Sequence, residues 1–334
     1  MVAGPCSVES EEQVIHTAVA LAQHDVTLLR GGIWKPRTRP RAFEGIGAVG
    51  LPWLKAAGEA TGLPVATEVA TPEHVELCLK AGIDVLWIGA RTTTNPIMVQ
   101  EIADSLAGVD IPVLVKNPMN PDVELWIGAV ERLLGAGVKR IVTVHRGFST
   151  HMKRKYRNQP LWDIPARMRQ RMPELPMLCD PSHICGKRSY IAAVAQDAMD
   201  LNFDGLMIES HWSPETARTD AQQQLTPVQY GRLIRELLRG DKARDAMDLD
   251  LRNLLRQIEE IESDLSVLLS KRQQVSRALE QYRNRQNALT RTWTRICANR
   301  CNGNEHKPEE EEENDEGHCE NCLNEEEQRH SIAG

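Results

Sequence analysis

Four side chains able to bind a divalent metal ion follow three apolar, strand-like segments of the sequence. Cys6 stands in GPCS near the start, His183 in DPSH and Glu209 in ESH, with Asp220 downstream. A thiolate, an imidazole and two carboxylates suit a borderline ion such as Mn²⁺, Fe²⁺, Co²⁺ or Zn²⁺, whereas Mg²⁺ prefers oxygen ligands alone. A single cysteine or histidine is usually a core or surface residue, so the prediction of one divalent ion depends on all four meeting.

Positively charged side chains follow other strand-like segments. Several cations directed at one place repel each other unless anions bind there, and the planar fork of arginine suits carboxylate and phosphate. We therefore expect a small ligand with several negative charges, although any one of these arginines alone is more often a surface charge. Glu68, in TEV, is the one acid among them and is expected to orient a cation or a water molecule. The cations are Arg30, Lys35, Arg37, Arg91, Lys116 and Arg146.

The order of the apolar runs predicts how these residues are brought together. From residue 1 to about 240, short β-type runs alternate with helical patterns, which is typical of a (β/α)₈ barrel of the α/β class. Such a barrel places its active site at the carboxyl ends of the strands, and closure makes strands 1, 7 and 8 neighbours. No glycine-rich nucleotide-binding fingerprint follows strand 1, which argues against an open doubly wound sheet. The predicted strands are Met1–Ala3, Thr27–Gly31, Pro64–Thr67, Val85–Ile88, Val113–Val115, Arg140–Val144, Met177–Leu178 and Gly205–Ile208.

Strand 1 is the weakest part of this prediction. Only Met1, Val2 and Ala3 precede Gly4, and chain termini fray unless other elements hold them. The strand that carries Cys6 is therefore expected to be short and frayed.

Composition and charge exclude several classes of protein. Hydrophobic residues make up 41% of the 334 residues, enough for a large core, and the net charge of −7 comes from an acidic run at 305–327. A nucleic-acid-binding face would need concentrated basic residues, and a membrane span about 20 apolar ones in a row, so neither partner is expected. No signal peptide is evident, and the cysteines lie scattered in apolar segments, which predicts reduced thiols in a cytoplasmic enzyme.

The pattern changes after residue 240. Apolar residues recur at helical spacing from Leu251 to about Tyr282, which predicts one long amphipathic helix whose apolar side needs partner helices or a second subunit. We expect a homo-oligomer formed through the barrel and this helix. From Asn299 onward the sequence is too acidic and too poor in apolar residues to fold alone. The predicted organisation is thus a barrel at 1–240, a helical segment at 241–298 and a disordered acidic tail at 299–334.

The ordered string of motifs GPCS, RGGxxKPRT, TEV, GAR, VKN, HRG, DPSH, ESH and TDAQQ resembles the class I, β-type 3-deoxy-D-arabino-heptulosonate 7-phosphate (DAHP) synthases over residues 2–240. This resemblance implies the first step of the shikimate pathway of aromatic amino acid biosynthesis. Phosphoenolpyruvate and erythrose 4-phosphate would condense to DAHP and phosphate. The related 3-deoxy-octulosonate 8-phosphate synthases typically carry KANRS where this chain has KPRT at 35–38, so they remain the alternative chemistry.

The resemblance also implies roles for individual residues. Phosphoenolpyruvate would be held by Arg91, Lys116 and Arg146, with support from Arg30 and Lys35. Arg37 and Thr38 would bind the phosphate of erythrose 4-phosphate. The metal ligands would be Cys6, His183, Glu209 and Asp220, and the residues expected to serve catalysis directly are Lys35, Cys6 and His183.

Residues 254–283 resemble the first helix of the all-helical chorismate mutases. Arg272 lies on the apolar stripe between Leu269 and Leu279, where that family binds a substrate carboxylate, and Arg283 stands in place of a usual lysine. No match to the second and third helices follows, so we expect mutase activity to be lost or incomplete. The segment would then be a docking or dimerising helix, or the altered end of a frameshifted gene. A catalytically weak barrel that recruits a mutase is a further alternative.

Overall fold

A computed structural model describes residues 1–37, 41–151, 155–240 and 244–301. Within these ranges eight parallel strands close into a barrel in the order of the sequence, and β1 pairs with both β2 and β8. The predicted (β/α)₈ barrel followed by a long C-terminal helix is therefore confirmed. Predicted residue Thr38 and the acidic tail from 302 onward lie outside the described residues. The strands are β1 Val2–Gly4, β2 Leu28–Arg30, β3 Val65–Val69, β4 Val85–Ile88, β5 Val113–Lys116, β6 Ile141–His145, β7 Met177–Cys179 and β8 Gly205–Glu209.

Helices alternate with the strands, and several begin at a side chain that caps them. Ser10, Thr71 and Asp122 each accept a hydrogen bond from a backbone N–H of the first turn that the helix itself cannot satisfy. The helices are α1 Glu11–Leu21, α2 Gly50–Thr61, α3 Pro72–Lys80, α4 Ala90–Thr93, α5 Pro96–Ser105, α6 Val123–Gly135, α7 Asp163–Arg171, α8 Pro181–Cys185, α9 Ile191–Asp200, α10 Pro227–Gly240 and α11 Arg244–Cys301.

Apolar side chains form two layers around the barrel wall. One cluster fills the interior, and a larger one lies between the strands and the surrounding helices. Alternate residues of a strand face opposite sides, so each strand contributes to both layers. The packed interior leaves the carboxyl ends of the strands as the place where polar side chains can meet. The interior cluster consists of Val2, Leu28, Ala66, Val85, Trp87, Leu114, Val144 and Met207.

The prediction of a frayed strand 1 is wrong. All three residues of β1 are buried, and β1 forms ladders on both sides, with Gly4 opposite Glu209 of β8. The amino group of Met1 donates a hydrogen bond to Oγ1 of Thr27, 3.0 Å away. Closure of the barrel turns a terminal strand into a central one, and this compensates for its short length.

The chain divides into two compact units, Met1–Ala246 and Met247–Gly334. Helix α11 has 58 residues and extends beyond the predicted range of Leu251–Tyr282 at both ends. The apolar repeat continues through Leu289, Trp293 and Ile296, which accounts for the extension at the C-terminal end. Among the described residues, no helix is long and apolar enough to cross a membrane.

Candidate active site

A polar cavity lies at the mouth of the barrel, where the carboxyl ends of the strands meet. Six of its lining residues are cationic and two are carboxylates, so the cavity is electropositive. Most of the residues predicted from the sequence to bind anions are among them. The charged and titratable lining residues are Lys35, Arg37, Glu68, Arg91, Lys116, Arg146, Arg157, His183 and Asp220.

Three of the four predicted metal ligands converge at one side of this mouth. One ligand atom each from Cys6, Glu209 and Asp220 lies within 4.8 Å of the other two. The Cys6 thiol donates to Oδ2 of Asp220 at 3.1 Å, and Nε2 of His183 lies 3.6 Å from Oε1 of Glu209. Oε1 of Glu209 is buried and accepts no hydrogen bond. Since buried carboxylate oxygens normally have a partner, this oxygen is suited to a cation, and the set of ligands fits a borderline divalent metal.

Two neighbouring glutamines hold the first two ligands. Gln223 donates from Nε2 to Oε2 of Glu209 at 2.7 Å, so this hydrogen bond does not involve Oε1. Gln224 accepts the backbone N–H of Cys6 at 2.9 Å. Gln223 ends the TDAQQ motif and Gln224 directly follows it, so the segment that supplies Asp220 also fixes the predicted ligands Cys6 and Glu209.

Asp220 is held in an unusual backbone conformation. Its φ of +54° lies in the left-handed region that favours glycine. Arg157 donates from Nη1 to Oδ1 of Asp220 at 2.8 Å, and Nζ of Lys35 lies 3.9 Å from Oδ2. Burial alone would raise the pKa of Asp220, but Lys35, His183 and Arg157 outweigh it and hold that pKa well below its usual range. The carboxyl group is therefore an anion aimed at the ligand cluster.

Asp180 orients His183 from the other side of the cluster. It caps α8 by accepting the His183 N–H at Oδ1, 3.0 Å away, and its Oδ2 lies 2.8 Å from Nδ1 of the same histidine. Burial opposes ionisation of Asp180, but His183 and Lys116 hold its pKa well below the usual range. An ionised carboxylate only accepts, so Nδ1 of His183 donates. Burial lowers the pKa of His183 despite Asp180 and Glu209, which favours a neutral ring whose Nε2 is available to a metal.

Lys35 brings a positive charge directly to the thiol. Its Nζ lies 2.5 Å from Sγ of Cys6 and 3.3 Å from the Cys6 carbonyl oxygen. Burial would lower the pKa of Lys35, but Cys6, Glu209 and Asp220 raise it above its ordinary value. Burial and Glu209 raise the pKa of Cys6 well above the ordinary value. The cluster therefore holds a protonated amine beside a thiol that needs a cation to ionise.

Arg30 occupies a different place from the one its sequence context indicated. It is only 1% exposed, and its Nη2 lies 3.2 Å from the Cys6 carbonyl oxygen and 3.3 Å from Oε1 of Glu209. Its guanidinium also stacks over Trp87, 4.8 Å from the ring centroid. Arg30 thus supports two of the predicted metal ligands, Cys6 and Glu209, from beneath the mouth.

Glu68 and Arg37 are both fixed by neighbours at the mouth. The indole N–H of Trp87 donates to Oε2 of Glu68 at 3.2 Å. Gly89 leaves the space that the Glu68 carboxylate occupies, because a Cβ at Gly89 would overlap Oε1. Arg37 donates to the Phe43 carbonyl oxygen at 2.8 Å and to Oγ1 of Thr219 at 2.7 Å.

Arg146 follows β6 in a tightly bonded turn. The Oδ1 of Asn117 accepts the Arg146 N–H at 2.6 Å, and the amide nitrogen of Asn117 donates to the Gly147 carbonyl oxygen at 2.9 Å. Burial lowers the pKa of Arg146 to about 10, and the nearby Arg157 and Arg91 add to the effect while Asp180 opposes it. Such crowding of cations favours a bound anion.

Three residues that shape this site were not predicted from the sequence. Arg157 lies in the connection between β6 and α7, away from any strand end, so its position carried no signal. Asp180 stands within DPSH and Gln223 within TDAQQ, but a motif alone does not indicate which side chain each of them contacts. Arg272 and Arg283, predicted to be relics of a chorismate site, lie exposed on α11.

A family model described as the DAHP synthetase I family matches residues 1–243. The chain belongs to this family. The predicted enzyme, a DAHP synthase, is thereby confirmed, and with it the formation of DAHP in the shikimate pathway. Metal dependence is typical of the family.

Similar proteins agree with the family assignment. The chain is 30% identical over 237 residues to the phospho-2-dehydro-3-deoxyheptonate aldolase of Thermotoga maritima, covering 71% of this chain and 68% of that protein. A crystal structure of this T. maritima aldolase, a DAHP synthase, superposes with a TM-score of 0.64 at 30% identity, covering 74% of this chain and 69% of that one. A truncated form of the T. maritima synthase gives a TM-score of 0.62 at 28% identity, covering 74% and 86%.

The alternative chemistry receives weaker support. The 2-dehydro-3-deoxyphosphooctonate aldolase of a Bradyrhizobium species is 25% identical over 272 residues, covering 75% of this chain and 91% of that protein. This relative matches at lower identity and does not favour the octulosonate reaction over DAHP formation.

Proposed function

We propose that the mouth of this barrel condenses phosphoenolpyruvate with erythrose 4-phosphate by using one divalent metal ion and the surrounding cations. The observation that carries the proposal is the convergence of Cys6, Glu209 and Asp220 within 4.8 Å beside an electropositive cavity. One substrate brings a carboxylate and a phosphate and the other brings a second phosphate. The cavity offers charges of the opposite sign for all three groups.

The metal would be held by Cys6, His183, Glu209 and Asp220. A thiolate ligand favours Mn²⁺, Fe²⁺, Co²⁺ or Zn²⁺ over Mg²⁺. The chemistry that such an ion supplies when bound is polarisation of the aldehyde oxygen, which a weak enol nucleophile requires. Arg30 and Gln223 act as supports, because they fix Glu209 through separate contacts at 3.3 and 2.7 Å.

Arg91, Lys116 and Arg146 would hold phosphoenolpyruvate, and Arg157 lines the same cavity. Bringing two polyanions face to face is unfavourable in water. Fixed cations offset this repulsion and set the direction of attack, with little rearrangement during the reaction. Lys116 is held for this role by Asp180, whose Oδ2 lies 2.8 Å from Nζ.

Each bond formed and broken in the proposed reaction can be assigned to the two substrates, water and Lys35. C3 of the enol forms a bond to the aldehyde carbon, and positive charge develops at C2. Water adds at C2, and phosphate then leaves with cleavage of the C2–O bond. The aldehyde oxygen becomes a hydroxyl and needs one proton, which Nζ of Lys35 can donate because its raised pKa keeps it protonated. The water that adds at C2 gives up two protons: one restores the Lys35 ammonium group and the other leaves with the phosphate.

Arg37 would bind the phosphate of erythrose 4-phosphate at the rim. Its side chain is already directed by Phe43 and Thr219. Thr38 follows it in the sequence and stays a prediction from the motif alone.

The deciding experiment measures phosphate release by the purified full chain. Chelated enzyme is compared with the same enzyme supplied with Mn²⁺, Fe²⁺, Co²⁺, Zn²⁺ or Mg²⁺, and erythrose 4-phosphate is compared with arabinose 5-phosphate. We expect turnover of erythrose 4-phosphate that is lost on chelation and regained with a borderline ion. Preference for arabinose 5-phosphate would support the octulosonate alternative. No turnover with Mn²⁺ present would support a scaffold.

We also propose that the protein works as a homo-oligomer in the cytoplasm. Cys6, Cys78, Cys179 and Cys185 are buried free thiols, which suits a reducing compartment. Chorismate mutase activity through Arg272 and Arg283 stays a prediction from resemblance, and conversion of chorismate measured alongside phosphate release tests it.

A further inference from the structure

Trp34 connects the loop after β2 to the beginning of helix α3. Its ring lies flat on the imidazole of His74, with the ring centroids 3.9 Å apart and an angle of 7° between the planes. Both side chains are partly buried, and Trp34 also packs against the hydrophobic core. Lys35 follows Trp34 directly, and Arg37 stands two residues later. The stacked pair therefore lies at the start of a segment that supplies two cations to the barrel mouth.

His74 is held in one orientation and one tautomer. Thr71 caps α3 by accepting the backbone N–H of His74 at 3.2 Å, and Nδ1 of His74 accepts the N–H of Ala70 at 3.3 Å. A ring nitrogen that accepts a hydrogen bond carries no proton, so the proton of the neutral ring lies on Nε2. Burial lowers the pKa of His74, which agrees with a neutral ring. The imidazole is thus a fixed surface against which Trp34 can pack.

The backbone of the loop turns back on itself beside Trp34. Trp34 and Gly45 form an isolated antiparallel bridge, and the N–H of Lys35 donates to the carbonyl oxygen of Glu44 at 2.8 Å. Gly45 has a φ of +99°, and a Cβ at this residue would lie only 2.8 Å from Cα of Trp34. Consecutive side chains of an extended segment point to opposite sides. A Trp34 ring held against α3 therefore directs the next side chain, Lys35, towards the mouth.

We propose that Trp34 is a positioning residue, and that its stack on His74 fixes the direction in which Lys35 and Arg37 enter the mouth. This inference rests on the proposed function, in which Lys35 donates a proton and Arg37 binds the phosphate of erythrose 4-phosphate. Trp34 is absent from the described residues that line the cavity. It therefore acts through the two cations that follow it.

The two cations reach different parts of the site from this one segment. Nζ of Lys35 contacts Sγ of Cys6, and Nη2 of Arg37 donates to Oγ1 of Thr219 at 2.7 Å. Long side chains lose much rotamer freedom when they are held in place, so a fixed backbone lowers the entropic cost of placing them. The cations proposed for phosphoenolpyruvate belong to other strand ends, namely Arg91, Lys116 and Arg146. Loss of the stack should therefore affect the acceptor substrate more than phosphoenolpyruvate.

Initial-rate kinetics of Trp34→Ala test the proposal in the full chain. We expect kcat to fall and KM for erythrose 4-phosphate to rise, each by roughly tenfold, because small displacements of reacting groups are costly. KM for phosphoenolpyruvate should stay close to the parent value. Trp34→Phe keeps an aromatic ring and should restore most of the parent kinetics. If Trp34→Ala lowered only the free energy of unfolding and left kcat and both KM values unchanged, the proposal would be overturned.

A double-mutant cycle tests whether the stack itself carries the effect. His74→Ala should reproduce the kinetics of Trp34→Ala, and the double variant should be no worse than Trp34→Ala alone, since groups that act as a unit are non-additive. The matched control is His16→Ala. His16 packs edge-to-face on Trp212 with the centroids 5.2 Å apart, and it does not line the cavity at the mouth. This control should behave as the parent chain, whereas independent, multiplying effects of Trp34 and His74 would overturn the role assigned to the stack.

Amide hydrogen exchange tests the stack without substrate. The Lys35 N–H is bonded to the Glu44 carbonyl oxygen, so it exchanges only when this part of the loop opens. Its protection in Trp34→Ala should fall by roughly tenfold, while peptides from α6 keep theirs. Unchanged protection would overturn the inference whether or not the chain turns over erythrose 4-phosphate. Failure of the proposed function would instead appear as absence of turnover in the parent chain, so the two failures are distinguishable.

Discussion

Lys116 and His183 share one acceptor, Oδ2 of Asp180, which lies 2.8 Å from Nζ of the lysine and 2.8 Å from Nδ1 of the histidine. Lys116 lies on the wall of the cavity proposed for phosphoenolpyruvate, and His183 lies beside the proposed metal. A single buried carboxylate therefore connects the two halves of the site. Movement of either side chain changes the charge and the hydrogen bond available to the other.

Replacement of Asp180 by Asn should weaken both halves at once. The amide keeps the shape but removes the charge that holds Lys116 and directs Nδ1 of His183. We expect metal affinity to fall about 10- to 100-fold and KM for phosphoenolpyruvate to rise. Metal titration and initial-rate kinetics measure the two effects.

The matched control is Asp163→Asn, because Asp163 is an acidic residue at the start of α7 with a side chain 72% exposed. This control should leave both values unchanged. If Asp180→Asn changed KM alone, the link to the metal would be disproved.

Cys6→Ala should abolish metal-dependent turnover. The thiolate is the only soft ligand of the proposed set, and its loss removes the preference for borderline ions. The measurement is phosphate release across a series of Mn²⁺ concentrations. Cys78→Ala, at a buried position on α3, is the control and should retain activity. Full activity of Cys6→Ala would contradict the assigned metal site.

Arg157→Lys should raise KM for phosphoenolpyruvate by roughly tenfold and weaken metal binding. The Nη1 group of Arg157 bonds Oδ1 of Asp220 and Oε1 of Gln223, both at 2.8 Å. A lysine keeps the charge but does not reproduce the planar fork. Kinetics with varied phosphoenolpyruvate and metal measure the effect. Arg171→Lys, at a surface ion pair with Glu124, should behave as the parent chain, and identical behaviour of both variants would refute the role of Arg157.

The folded protein should lose stability as the pH falls below about 6.5. Burial and the neighbouring Arg146 lower the pKa of His145 to about 3. Between about pH 6.5 and pH 3, His145 therefore binds a proton in the unfolded chain but not in the folded chain. The contribution is fully present above the unfolded pKa and is lost on going towards pH 3. At pH 5 it amounts to about 2 kcal/mol.

Denaturant unfolding at pH 7 and pH 5 measures this loss. His145 packs with its ring near Phe148, Trp162 and Phe203, so His145→Phe removes the titration and keeps the packing. The variant should lose less stability between the two pH values than the parent chain. An equal loss in both would exclude His145 as the cause.

The sequence predicted the barrel because alternating β and helical patterns leave few other architectures. It also located Cys6, Glu209 and Asp220 near one another, since strand ends of a closed barrel meet at one face. It could not predict the role of Arg30, because a side chain at the end of a strand can either line the mouth of the barrel or lie beneath it and support other residues. The role of Arg157 could not be predicted because the residue lies in an irregular connection, where sequence position does not indicate where a side chain lies in the fold.

The proposed metal site joins the two ends of the barrel. Cys6 and Asp220 are 214 residues apart in sequence, yet the thiol and the carboxylate lie 3.1 Å apart. A growing polypeptide that has not reached Asp220 has a thiol without its carboxylate partner, so it can present only part of the site. Metal binding at the complete site should therefore occur only after synthesis and barrel closure are finished. A bound ion would then slow the separation of β1 from β8.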